Sequence, residues 1–411
     1  MDRHDACWAA LLLIGGLTIV HTESAAQRTD TIVRLAHAPR YSGVATLVPE
    51  LKIGMVDGPP EYLFGGPSNI LLQRDGSIVV VDYAGMGSPM IRRYDKSGKF
   101  LRNVGGRGEG PGEYRGPTGL AELADGRILL SDPRNRRVTI YSAAGVVETT
   151  WNLSEYSYAI RGVEQLKVAP NGMVHMRFSE PTRELGNSEI SILRLRADGT
   201  IVDTIKPPAL PDFELPRLTA TSASGRGRVS MTVPYWPRAF WTFSSRGYFI
   251  TALPNRYSID IKQGNQVVSI RRNVEPIAIS AEERQEQRDF TRDRLRAFGT
   301  FNGSVPDVPR TKPYFKWITT FDDGRIWASL STRSERYDPP TRTVEGRTQP
   351  SLRWREPTMF DVFEPDGTYV GQVAVPDGIY LESVRGDVAW GYTRGEEDVP
   401  YVVRYRIAWK R

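Results

Sequence analysis

Leu120–Trp151 reads LAELADGRILLSDPRNRRVTIYSAAGVVETTW, and the reading of this stretch decides the fold. An apolar strand runs into Asp125-Gly126, and a second strand follows over Arg127–Asp132. A third occupies Arg137–Tyr141, and a fourth, Val146–Trp151, comes after a turn at Ala144-Gly145. Asp-Gly between alternating apolar runs predicts a two-residue hairpin turn with positive φ at both central positions. The stretch is therefore a four-stranded antiparallel unit closed by tight turns.

The unit recurs. Ile70–Leu72, Ile78–Asp82, Ile91–Tyr94 and Phe100–Val104 form an earlier copy, turning at Asp75-Gly76 and Ser97-Gly98. Looser copies are marked by Asn171-Gly172 with Asp198-Gly199, Arg246-Gly247 with Gln263-Gly264, and Asp323-Gly324 with Asp366-Gly367. Gly386-Asp387 opens a sixth copy, which holds only three strands before Arg411. Four-stranded units at spacings of about 45 residues and upward mark a β-propeller. A toroid has to close, and Val44–Ile53, VATLVPELKI, predicts the missing fourth strand. The expected class is all-β: a six-bladed β-propeller over 44–411, its ring closed by an N-terminal strand joining the last blade, with one short inserted helix. Closure leaves only short, protected sheet edges.

Between the first two units lies GGRGEGPGEYRGP, residues 105–117. Its Gly110-Pro111-Gly112-Glu113-Tyr114 parallels Gly58-Pro59-Pro60-Glu61-Tyr62, so both stretches join an outer strand to the next inner strand. A dinucleotide fingerprint starting at Gly106 and Gly108 would need glycine where Pro111 stands. A phosphate loop would need Lys-Ser/Thr and a following helix N-terminus, and neither is present in the pattern. Gly-rich backbone with fixed prolines suits a chain crossing between packed sheets. On that reading Glu61 and Glu113 hold neighbouring backbone or Arg groups, and Tyr62 and Tyr114 pack between blades. The competing reading makes Arg107, Glu109 and Glu113 ligand contacts at the rim, with Tyr114 and Arg134 beside them.

GRILLSDPRNRRVTIY, residues 126–141, resembles an NHL repeat, with Asp132, Asn135 and Arg137 at that motif's characteristic places. Together with the glycine linker and the loose copies, the chain resembles the bacterial secreted six-bladed β-propeller family related to NHL proteins. The resemblance spans roughly residues 44–410 and is specific in the first two units. It departs in the third, where Met176-Arg177-Phe178 replaces the strand-ending Asp. It implies the fold and extracytoplasmic binding, and it implies no reaction.

Residues 1–26 stand apart. Ala6–Val20 is an uncharged, mostly apolar run preceded by Arg3 and His4 and followed by Ser24-Ala25-Ala26, the pattern of a secretory signal cut before Gln27. The run is shorter than the roughly 20 residues of a membrane span, so no stable span is expected after cleavage, though retention as an N-terminal anchor is the alternative. Residues 27–43 are then an N-terminal extension. Cleavage removes Cys7, the only cysteine, and leaves His37 and His175 as the only histidines. Disulfides, thiol nucleophiles, histidine triads and multi-histidine metal sites fall away with them. It also removes Arg3, Asp2, Asp5 and Glu23, moving the net charge from +6 to +8. Only nine of the 54 basic residues are Lys, and they are spread along the chain, which argues against a nucleic-acid stripe. A periplasmic or extracellular monomer is expected.

Long insertions at 179–188, 206–235, 273–312 and 331–357 all fall in connections on one face, where propeller-type scaffolds carry function. Within 273–312, Ser280 with Glu283 forms a capping box for a helix over 280–298, with Phe290, Leu295 and Phe298 as its thin apolar set. The helix is either clipped to the rim or a lid over the channel. Tyr235, Trp236 and Trp354 are candidate stacking surfaces for a sugar or peptide. Asp82 and Asp132 end equivalent strands and are expected to cap turns. Glu396-Glu397-Asp398 is the acid run that could gather Ca²⁺; no cofactor is otherwise expected. The leading function is a non-catalytic, exported module binding an envelope protein or glycan. The rival is a metal-dependent, lactonase-like hydrolase or lyase with channel-facing carboxylates.

Overall fold

The computed structural model describes residues 30–84, 88–154, 166–181, 188–211, 213–339, 343–344, 347–348, 351–395 and 398–410. Among the described residues the chain is mostly β with one α-helix, and its sheets pack in a propeller-like arrangement. The first sheet is Pro67–Leu72, Ile78–Ala84, Ser88–Tyr94 and Phe100–Asn103. Gly119–Glu122, Ile128–Asp132, Arg137–Tyr141 and Val147–Asn152 form the second. Leu166–Val168, Val174–Pro181, Ser188–Leu195 and Ile201–Ile205 make the third. The fourth contains Phe240–Phe243, Phe249–Leu253, Ser258–Gln263 and Gln266–Arg271. In the fifth, Phe315–Thr320, Ile326–Leu330, Thr358–Phe363 and Tyr369–Val375 pair in order.

Tyr380–Arg385, Val388–Arg394 and Pro400–Ala408 make the last sheet, and Val44–Ile53 pairs antiparallel with Pro400–Ala408, Leu47 opposite Ile407. That is the partner the sequence predicted. The same strand reaches the neighbouring sheet as well, with Val44–Thr46 parallel to Gln372–Ala374. Part of the N-terminal extension is also ordered into the fold. Asp30–Leu35 adds a parallel fifth strand to Gln266–Arg271. Its Ile32, Val33 and Leu35 are exposed, so no burial pattern marked it in the sequence.

The glycine turns differ from the expected two-residue type. Gln73 donates its N–H to Ser77 O while Gly76 donates to Gln73 O; this pattern repeats around Gly126, Gly172, Gly199, Gly247 and Gly367, and at Gly324 the glycine likewise donates to Phe321 O. Only the glycine has positive φ; the preceding Asp or Asn does not. Each loop is thus a three-residue hairpin with one left-handed position. The Asp or Asn earns its place through its side chain instead: Oδ1 accepts the N–H two residues on, as from Ser77 to Asp75 (2.8 Å) and from Thr200 to Asp198 (2.9 Å). Within every sheet these turns lie at one end of the strands, and the long connections lie at the other.

Apolar clusters fill the seams between sheets. One joins the first and second sheets around Val79, Val81, Ile128 and Leu130. Others join second to third, fourth to fifth, fifth to last, and last to first. Among the described residues, none spans third to fourth.

The inserted segments have a core of their own around Leu218, Val233, Ile279, Leu295 and Val308. The hairpin Arg217–Thr221/Arg228–Thr232 supports the helix Ala281–Phe298 there. The helix buries Glu283, Gln287, Thr291 and Leu295, a stripe at four-residue spacing, while Phe298 is exposed. Only Leu295 of the expected apolar set is fully buried; the face is polar because it docks onto a charged network rather than onto oil. Ser280 Oγ accepts the Glu283 N–H at 3.0 Å, which is the N-cap half of the expected capping box; the Glu283 carboxylate turns instead to Tyr235, Ser334 and Lys312. Ser280→Ala is expected to destabilise the protein by about 1 kcal/mol in urea unfolding, and no measurable change would remove the cap from the account. No helix among the described residues is long and apolar enough to cross a membrane.

Candidate functional site

Side chains of the innermost strands converge on a cavity of about 260 Å³ along the centre of the molecule. Lys167, Trp317, Asp322, Glu382 and Asn69 supply its chemistry, brought together from four sheets. In the short strand Leu166–Val168, Leu166 and Lys167 line the cavity, and Lys167 brings the polar head. Its ammonium donates to Phe243 O and to Thr320 Oγ1, both at 2.8 Å, and so ties the third sheet to the fourth and fifth. Burial lowers its pKa to about 8, and the nearby Asp322 opposes that shift.

Asp322 follows the inner strand of the fifth sheet and accepts a hydrogen bond from Ser383 Oγ. Its surface opens to the cavity, yet protein encloses it from bulk solvent. This enclosure raises its pKa, with Ser383, Arg385 and Lys167 pulling the other way. Glu382 is pushed up to about 7 by burial, opposed by the Asn69 backbone N–H. Asn69 sits at φ 45°, in the left-handed region. Trp317 is 43% exposed, although its ring meets Phe360 edge-on at 5.3 Å. The result is a polar ring with one open indole and two carboxyls that change protonation nearer neutrality than ordinary acids do.

A second cavity, about 240 Å³, adjoins the first and shares Lys167, Trp317 and Thr319 with it. It occupies the seam between the third and fourth sheets and adds His175, Arg177 and Trp241.

The eight residues singled out in the sequence line neither cavity. Four belong to the linker between the first two sheets, and a fifth, Arg134 of the second sheet, lies against it. The Glu113 carboxylate accepts the Gly110 N–H at 2.7 Å, and Glu109 pairs with Arg115. Tyr114 is buried, its hydroxyl accepting the Ile91 N–H at 2.9 Å. Arg107 bridges Tyr114 through its backbone. Arg134 lies so close over Gly116 that a Cβ there would stand 2.8 Å from its Cδ. Arg137 donates to Gly110 O (2.6 Å) and Glu113 O (2.8 Å), and Asn135 to Gly108 O (2.8 Å), so the NHL-like positions hold the linker. Gly105 is needed there: at φ 65°, a Cβ would lie 2.4 Å from Gly112 O.

The other three belong to the inserted segments. Tyr235, at φ 60°, donates to Glu283 Oε1 at 2.8 Å, and Trp236 Nε1 donates to Phe213 O at 3.2 Å. Trp354 pairs through its backbone with Arg336, and its indole N–H is buried without a hydrogen-bond partner.

Asp82 and Asp132 cap the inter-sheet linkers, as expected. Asp82 Oδ1 accepts from Gly65 and Gly66, and Asp132 accepts from Arg115 and Gly116. Glu396 and Glu397 lie outside the described residues, among which no group of three or more His, Cys, Asp or Glu is arranged to hold a metal.

Sequence reasoning missed the polar cavity residues because Lys167, Asp322 and Glu382 are single positions in or just after inner strands, far along the chain from one another. The signal was a lysine between Leu166 and Val168 and a glutamate after Leu381, where an inner strand should alternate apolar with small.

No family model and no curated protein matches the chain. Among solved structures it is similar to a member of the DUF4221 family from Bacteroides vulgatus, at 9% identity and a TM-score of 0.49, over 90% of this chain and 100% of that one. A gluconolactonase from Xanthomonas campestris is similar at 10% identity and a TM-score of 0.39, over 87% and 98% of the two chains. Virginiamycin B lyase from Staphylococcus aureus is similar at 11% identity and a TM-score of 0.40, over 88% and 99%. These likenesses are too distant to carry chemistry across. Fold and cavity together define a propeller-like β protein with a polar, tryptophan-bearing central site.

Proposed function

We propose that the protein is an exported, non-catalytic six-bladed β-propeller, closed by Val44–Ile53, that binds a small ligand or the end of a larger one where its central channel opens. The observation that carries this reading is Trp317. A large ring left 43% exposed on an inner strand, amid Lys167, Asp322 and Glu382, has the composition of a ligand pocket: an aromatic wall with a few convergent polar groups. The signal-like first 26 residues support export, and the antiparallel pairing of Leu47 with Ile407 supports closure.

The test is to profile the purified protein against immobilised glycans and small-molecule panels, alongside Trp317→Ala. Retention of a ligand unchanged in mass, weakened at least tenfold in the variant, is the expected result; binding indifferent to Trp317 would sink the reading. A second reading, a hydrolase or lyase, draws on Asp322 and Glu382, whose raised pKa values suit proton transfer. Turnover of a lactone or ester panel, abolished by Glu382→Gln, would favour it instead.

A further inference from the structure

Five of the seams between neighbouring sheets are filled with aliphatic and aromatic side chains; the seam between the third and fourth sheets holds the 240 Å³ cavity. The substitution behind this is local. Three and five residues past the turn glycine Gly76, the first sheet presents Val79 and Val81, both fully buried against the second sheet. At the same two places past Gly172 the third sheet presents His175 and Arg177. Interiors normally pack without voids, and replacing two valines by two basic side chains forgoes that packing.

The cavity wall is chemically one-sided. Lys167, His175 and Arg177 line it, together with Trp241, Phe243 and Trp317, and no acid does among the described residues. The Arg177 guanidinium lies over the Trp241 ring at 5.2 Å, an arrangement that fixes a planar cation beside a planar wall. His175 is 4% exposed, its ring 4.9 Å from that of Phe243, and its Nδ1 has no hydrogen-bond partner. A buried polar atom left unpaired in this way calls for a partner. Burial, then the Arg194 and Lys167 charges, hold the imidazole down to about 4, so near neutral pH it offers a hydrogen bond without a charge of its own. The Lys167 ammonium already donates to Phe243 O and Thr320, so it contributes field more than contact.

We infer that this seam is a binding site for a small planar organic anion, an aromatic carboxylate in the first instance. Its ring slides against the Trp241 indole and its carboxylate meets Arg177 and His175. The inference rests on the binding-module reading above and names the ligand class and subsite. Cation, indole and orphan imidazole are the three complements such a ligand needs, and the absence of a facing acid among the lining residues removes the competitor for the charge.

Titration calorimetry of the full mature chain, with benzoate, its neutral isostere benzamide and methyl β-glucoside as probes, tests this. Benzoate is expected to bind at least tenfold tighter than benzamide. Arg177→Ala is expected to lose at least tenfold, with Arg177→Lys keeping part, and Trp241→Ala to weaken benzoate as well. Arg177 is exposed, so its variants are expected to fold; unchanged melting curves would verify it. Equal affinity for benzoate and benzamide, or benzoate affinity indifferent to Arg177, overturns the inference. If benzoate fails while the glucoside binds in a Trp317-dependent way, the anion subsite falls and the binding module stands. If none of the probes binds and a lactone is turned over, both fall.

Discussion

Asp361→Ala is expected to cost the fold about 5 kcal/mol or more in equilibrium urea unfolding. Asp361 is fully buried in the fifth sheet, and four donors meet it. Tyr257 Oη and the Arg272 guanidinium approach Oδ2; Tyr369 Oη, at 2.7 Å, and Gln372 Nε2, at 3.1 Å, approach Oδ1. Burial, and then the Asp361 charge, push both phenols above their ordinary range, so they stay protonated donors at any working pH. Truncation strands a partly buried guanidinium, roughly 3–5 kcal/mol for a broken buried pair, and two buried hydroxyls at about 1–3 kcal/mol each before relaxation. The effects overlap, so the sum is not the expectation. A loss below about 1 kcal/mol would mean that water replaces the carboxylate and that the cluster is not a structural anchor.

Lys312→Met is expected to be the second most damaging change, at about 3–5 kcal/mol. The Lys312 side chain is 1% exposed and stands between Glu283 (3.4 Å) and Glu356 (3.1 Å), themselves 4% and 11% exposed. It also donates to Thr332 O at 2.9 Å and to Ser334 Oγ, and its charge lies 5.0 Å from the centre of the Tyr235 ring. Glu283 is on the helix, while Glu356, Thr332 and Ser334 belong to the 331–357 insertion, so this one ammonium fastens two inserted segments to each other. Without it, Glu283 keeps only the Tyr235 and Ser334 hydroxyls as donors, while Glu356 keeps Lys316 at 3.5 Å, so the uncompensated buried charge is chiefly that of Glu283. The triple variant Lys312→Met, Glu283→Gln, Glu356→Gln is expected to recover most of the loss, because no buried charge then remains unmatched. Failure of that rescue would show the damage to be steric rather than electrostatic.

The repeating sheets were legible because turn chemistry is local. A glycine occupies the left-handed position of these hairpins, and at Asp75, Asp125, Asn171, Asp198, Asp323 and Asp366 the side chain before it closes the loop, so Asp75-Gly76 and Asp366-Gly367 announce the same event far apart. The partner of Val44–Ile53 was legible for a different reason: the last unit lacked a strand and one suitable segment was unassigned. The helix start was written in Ser280 and Glu283, but its buried face was not, since Gln287 and Thr291 read as solvated until Lys312 and Tyr235 are seen against Glu283. The cavity residues were the least legible. Lys167, Asp322 and Glu382 meet only because three separate inner strands point at one axis, and no spacing along the chain encodes that. The third-unit departure at Met176-Arg177-Phe178 was visible as a broken repeat, and the structure gives it a physical meaning: the seam it faces is hollow.

Leu47 lies opposite Ile407, so the strand Val44–Ile53 is completed by a segment far away along the chain. Contacts of such sequence separation carry a large loop-closure entropy and slow folding. The antiparallel edge of Val44–Ile53 therefore stays open until Pro400–Ala408 docks on it, which makes that pairing a late event in folding.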